Sequence, residues 1–104
     1  MEIRVAELDE VQPDDMLAVT AGDREILIAR VGTDEYYAVD NMCSHADAWM
    51  DTGTLWPSTC EVECPLHDGR FDLRTGKPTQ APCVEPIQSF AVAVRDAVYV
   101  EVPD

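Results

Sequence analysis

The stretch ECPLHDGRFD, residues 63–72, sets Cys64 and His67 three positions apart, with a proline between them, at the end of the strand-like run EVE. A turn this short keeps a thiol and an imidazole close together. A second such pair stands upstream, Cys43 and His45 in CSH, so the chain reads Cys-x-His, 18 intervening residues, Cys-x-x-His. Cys43, His45, Cys64 and His67 are therefore four candidate ligands, one sulfur and one nitrogen from each turn. Four such donors suit a single metal ion or one small cluster.

Outward from this pair, hydrophobic residues alternate with the two-residue period of half-buried strands. AVYVEV puts Val98, Val100 and Val102 on one face, and SFAVAVR does the same with Phe90, Val92 and Val94, with only RDA at the turn between them. REILIARV and YYAVD, joined through GTDE, predict a second hairpin, and IRVAEL and MLAVTA supply further strands. No window has a sustained helical period; DEVQPDDM reads as a turn at Pro13, and ADAWM offers one helical turn at most. The middle of the chain, residues 41–82, differs in being rich in turn formers and in holding both histidines and three of the four cysteines. The expectation is a single all-β domain over 1–104, with an antiparallel base from roughly 1–40 and 83–104 and a small site-bearing subdomain from roughly 41–82.

With 104 residues the chain has the length of one compact unit. No window approaches the roughly 18 apolar residues of a membrane span, and MEIRVAELDE lacks the basic flank and apolar core of a signal peptide, so a cytoplasmic location away from the membrane is expected. In that compartment cysteines bind metal more often than they pair as disulfides. The formal net charge of −14 argues against a nucleic-acid partner and favours attraction to basic protein surfaces. Residues 1–40 carry 11 acidic and 3 basic side chains, against 6 and 3 in residues 41–82, so the candidate site lies in a less acidic region.

Zinc-finger spacing groups cysteines together and histidines together, commonly with the histidines on a helix, whereas each turn here mixes the two. A Cys-His catalytic pair needs an orienting group and gives the second pair no role. A 2Fe-2S cluster with two thiolates on one iron and two imidazoles on the other accounts for all four residues.

CSHADAWMDTGTL and ECPLHDGRFDLRTGKP resemble the Rieske family, and in particular the small Rieske-type ferredoxins of bacterial aromatic-ring-hydroxylating dioxygenase systems. The resemblance covers nearly the whole chain: Gly53 and Leu55 match the link between the family's loops, Phe71, Asp72, Thr75 and Gly76 match the segment after the second loop, and APC with Pro86 resembles the stretch that covers the cluster. It implies a Rieske fold and one 2Fe-2S cluster, with Cys43 and Cys64 on the inner iron and His45 and His67 on the outer one. It also implies a one-electron carrier, not an enzyme in itself, that takes electrons from a flavoprotein NAD(P)H reductase and passes them to a terminal oxygenase.

Three departures stand out. The spacing between the loops is longer than is common in the family, with the extra residues in WPST; Ala46 replaces a common glycine; and Ala48 and Leu66 stand where respiratory Rieske subunits carry an extra cysteine pair. The hydroxyl donors of those subunits correspond here to Gly69 and Phe71, which implies a potential nearer about −150 mV than about +300 mV.

With both histidines used as ligands, none remains for an oxygen-activating iron site, and no G-x-G-x-x-G marks a nucleotide site. A monomer meeting its partners transiently is expected, with docking around the histidine edges flanked by Trp49, Trp56, Leu66 and Pro82. Trp49 and Trp56 read equally well as shields or packing residues. Cys60, on a strand-like run with Val62, reads as a small buried hydrophobe, and Cys60 and Cys83 are expected to be free thiols. The alternatives are a Rieske-like small subunit of a nitrite reductase and a zinc-binding structural or interaction protein.

Overall fold

The structure, a computed structural model, describes residues 1–44, 48–66 and 68–103. Among these, the strands in chain order are β1 (Glu2–Ala6), β2 (Asp15–Ala21), β3 (Arg24–Val31), β4 (Glu35–Asp40), β5 (Thr54–Trp56), β6 (Glu61–Glu63), β7 (Arg70–Asp72), β8 (Pro78–Gln80), β9 (Ser89–Phe90), β10 (Val92–Val94) and β11 (Val98–Glu101), with one 3₁₀ turn at Met50–Thr52. They form three antiparallel sheets, ordered β1-β11-β10, β2-β3-β4-β9 and β5-β6-β7-β8. The all-β expectation holds; the helical turn expected in ADAWM falls partly on Ala46 and Asp47, outside the described residues, and the 3₁₀ turn of Met50–Thr52 shares only Met50 with it.

The position of β3 explains how the sheets stack. Its residues Ile26, Leu27, Ile28 and Ala29 are all fully buried, so the strand is covered on both faces. Successive side chains point to opposite faces. Ile26 and Ile28 therefore join Ala38, Phe90, Val98 and Val100 in a core between the two sheets built from the chain's ends. Leu27 and Ala29 join Val39 in a second core with Cys43, Met50, Val62, Cys64, Phe71 and Leu73, beneath the site-bearing segment. Burying a side chain such as Phe71 is worth about 1.5–3 kcal/mol, so this second core fixes the site on the base.

Both hairpins of the second sheet turn at glycines in the left-handed region, Gly22 (φ +66°) between β2 and β3 and Gly32 (φ +64°) between β3 and β4. The run Phe90–Val94, expected as one strand, is two. Phe90 pairs with Ala38 of β4, whereas Val92–Val94 pairs with β11, so the chain crosses between sheets at Ala91. Phe90 is buried and Val94 is exposed, because the two no longer share a sheet face.

Candidate metal centre

Two loops built to the same plan carry the cysteines. In the first, Met42 bridges Trp49 and the Cys43 amide donates to the Ala48 carbonyl at 2.9 Å. In the second, Glu63 pairs with Arg70 and the Cys64 amide donates to the Gly69 carbonyl at 2.7 Å. Each cysteine thus opens a six-residue loop closed by an amide-to-carbonyl bond five positions on. The loops are brought together through Gly53, where a side chain would overlap the Glu63 carbonyl oxygen; only glycine lets the 3₁₀ turn pass so close to the strand that ends at Cys64.

A strap formed by residues 80–87 lies over both loops. The Ser44 hydroxyl donates to the Glu85 carbonyl at 2.6 Å, and the Gln80 side-chain amide donates to the Asp68 carbonyl at 2.7 Å. Gly76, at φ +79°, accepts from the Ile87 amide at 2.9 Å and has no room for a side chain beneath the strap. Ala81–Pro82 within the strap is cis.

Cys43 and Cys64 are buried, 4% and 0% exposed, in the second core, and none of the four cysteines is disulfide-bonded. His45 and His67 lie outside the described residues. Among the described residues no group of three or more His, Cys, Asp or Glu side chains could hold a metal ion. Two buried thiols held in apolar surroundings are the donor chemistry that soft thiolate ligation of an iron–sulfur cluster needs.

Cys83 is a free thiol, as expected, but sequence reasoning gave it no place beside Cys43 and Cys64. Its side chain is buried, and burial first, then the neighbouring Cys43 and Cys64, pushes its thiol up to about 12. The available signal was its place in the proline-bearing stretch APC, combined with the glycine at 69.

Cys60 is buried as expected and is not on a strand: it closes the turn before β6 with φ +58°. Burial raises its thiol pKa, and the Tyr37 side chain hydrogen-bonded to it works against that rise. Trp56 has a packing role, its ring stacked by the Arg70 guanidinium at 4.0 Å and its indole N–H donating to Glu63 at 2.8 Å. Arg70 also pairs with Glu61 and Glu63 at 3.4 and 3.3 Å. Trp49, just after the first cysteine loop, is 45% exposed, Leu66 within the second is 58% exposed, and Val84 on the strap is 75% exposed.

A family model described as Rieske [2Fe-2S] domain matches residues 1–91. The chain belongs to the Rieske family. It is 39% identical over 89 residues to the anthranilate 1,2-dioxygenase ferredoxin subunit of Burkholderia cepacia, covering 86% of this chain and 80% of that one. The solved ferredoxin of carbazole 1,9a-dioxygenase from Nocardioides aromaticivorans IC177 superposes with a TM-score of 0.92 at 40% identity, covering 100% of this chain and 99% of that one. A ferredoxin solved in complex with its oxygenase in carbazole 1,9a-dioxygenase superposes at 0.86 with 35% identity, covering 95% and 91% of the two chains. A putative nitrite reductase small subunit, 19% identical with a TM-score of 0.84 and coverage of 98% and 99%, shares the fold alone. As a Rieske protein the chain carries a 2Fe-2S cluster, and its two buried thiols fit that group. No helix among the described residues is long and apolar enough to cross a membrane.

Proposed function

We propose that this Rieske protein is the ferredoxin component of an aromatic-ring dioxygenase system, carrying single electrons from a flavoprotein NAD(P)H reductase to a terminal oxygenase. The carrying observation is the pair of matched loops that bring Cys43 and Cys64, both buried, against one core. In this reading Cys43 and Cys64 hold the inner iron of the cluster, and His45 and His67 hold the outer iron near the surface. The bound cluster supplies reversible one-electron chemistry. The chain's own part is to keep water from the thiolates with Met50, Val62 and Phe71, to fix the two loops with the strap, and to present the loop tips to partners.

Exposed Trp49, Leu66 and Val84 around the loops, with partly exposed Pro82, are the apolar contacts of a small transient interface. The acidic surface hastens the encounter with basic partners. The chain acts as a cytoplasmic monomer, residues 1–40 and 83–104 serving as base and 41–82 as the cluster-bearing part.

Visible and EPR spectra test the cofactor. A reduced cluster with mixed Cys/His ligation is paramagnetic, whereas zinc gives no signal. Reconstitution tests the partners: the reduced protein should be reoxidised rapidly by the terminal oxygenase of an aromatic-ring dioxygenase and poorly by a nitrite reductase catalytic subunit. The reverse preference would replace the proposal with the nitrite reductase reading.

A further inference from the structure

Residue 69 has no side chain, and the space is taken. A Cβ built on Gly69 would overlap the sulfur of Cys83 and would lie 3.2 Å from both its Cβ and its amide nitrogen. The Cys83 sulfur therefore sits in the hollow left by a glycine whose carbonyl accepts from the Cys64 amide. From there it shares one buried core with Cys43 and Cys64, and Cys43 is the neighbour that acts on its thiol most strongly after burial. One thiol, brought in by the strap, thus packs against the closing residue of one loop and lies beside the opening residue of the other. It is buried, with 5% of its surface exposed.

We propose that Cys83 tunes the centre as a positioning residue: its S–H donates to the sulfur of Cys43 and makes the cluster easier to reduce. This rests on the assignment of Cys43 as a cluster ligand. An electron added to the centre increases the negative charge on the cysteine sulfurs, and a donor aimed at one of them stabilises the reduced state more than the oxidised one. A protonated cysteine has one S–H to donate. Burial keeps water from competing for the bond. The strap is held at both ends, at Asp68–Gln80 and Gly76–Ile87, so the donor is placed before an electron arrives.

The test is voltammetry on the loaded protein and on Cys83→Ala and Cys83→Ser, with iron and sulfide counted in each. Loss of the donor in Cys83→Ala should weaken the reduction equilibrium by about threefold to tenfold, equal to ~28 to ~59 mV downward for one electron. Cys83→Ser keeps a donor and should recover at least half of the loss. A fully loaded Cys83→Ala at the parent potential overturns the proposal. So does Cys83→Ser falling as far as Cys83→Ala, because packing alone would then account for both.

If Cys83→Ala does not load, the redox-difference infrared spectrum of the unmodified protein decides. An S–H band that shifts on reduction and moves on deuteration is expected, and a spectrum with no S–H feature refutes the role. A parent protein without iron or an EPR signal would instead sink the cluster assignment itself, an outcome distinct from a cluster whose potential ignores Cys83.

Discussion

Replacing Gly53 by alanine should cost the protein both stability and cofactor, because this residue sets how closely the first loop's turn approaches the strand that ends at Cys64. Its φ of −88° lies outside the left-handed region, and the obstacle to a side chain is space. The added methyl would overlap the Glu63 carbonyl oxygen and lie 3.1 Å from the Glu63 carbonyl carbon and 3.2 Å from the Met50 carbonyl oxygen. All three are backbone atoms and cannot swing aside. The Glu63 peptide must retreat by about 1 Å to restore ordinary contact. That retreat strains the Thr54–Glu63 pairing and the Gly53-to-Met50 hydrogen bond of 2.9 Å. Overpacking of this kind costs about 1–3 kcal/mol and each weakened hydrogen bond about 0.5–1.5 kcal/mol, giving about 2–4 kcal/mol in all.

For a chain of this size a loss of about 2–4 kcal/mol lowers Tm by roughly 10–30 °C. Because Cys64 follows Glu63 directly, a loop displaced by about 1 Å should also hold less than a full cluster. Thermal unfolding followed by circular dichroism, with iron and sulfide per chain, reads both effects. Gly22→Ala is the control: its φ of +66° imposes strain but no atom lies within 4 Å of the new methyl, so Tm should fall by a smaller amount with iron content intact. Gly53→Ala with a parent-like Tm and full iron would refute the close-approach argument.

Bonds from Thr79 first, then Thr59 and Arg70, hold the Glu61 carboxyl below its ordinary 4.5. A carboxyl lowered in the folded state stabilises above its unfolded pKa, and that share is lost as pH falls through the folded value; Tm should drop less steeply below about pH 4.5 in Glu61→Gln than in the parent, and equal slopes would contradict the assignment. A double-mutant cycle on Trp56→Ala and Arg70→Ala should return a coupling of about 0.5–1 kcal/mol in urea unfolding, and additive losses would mean that the stacked pair does not stabilise the sheet. Voltammetry should place the midpoint in the lower part of the Rieske range, nearer about −150 mV than about +300 mV, since residues 69 and 71 are glycine and phenylalanine; a strongly positive potential would mean that other donors dominate.

Strand positions were legible wherever a run kept one partner. The hairpin of Arg24–Val31 with Glu35–Asp40 could be read because Gly32 marks its turn, and Val98, Val100 and Val102 are buried as their alternation requires. The break at Ala91 was not legible, because alternation records which face is buried and not which strand lies alongside. The left-handed turn at Cys60 escaped for a similar reason: cysteine is not a residue whose presence signals positive φ. In the site, Cys43 and Cys64 could be found from local spacing alone. The Cys83–Gly69 contact could not, since it joins positions 14 apart through the strap's tertiary course, and a glycine in sequence does not say what fills the space above it.

The strap also has a consequence for timing. Ser44 waits for Glu85, which lies 41 positions later, and Gly76 waits for Ile87. A growing chain therefore presents both cysteine loops well before the segment that ties them down has left the ribosome. Contacts so distant in sequence form late. A nascent chain stalled short of residue 87 would therefore lack the contacts that tie the strap over Cys43 and Cys64.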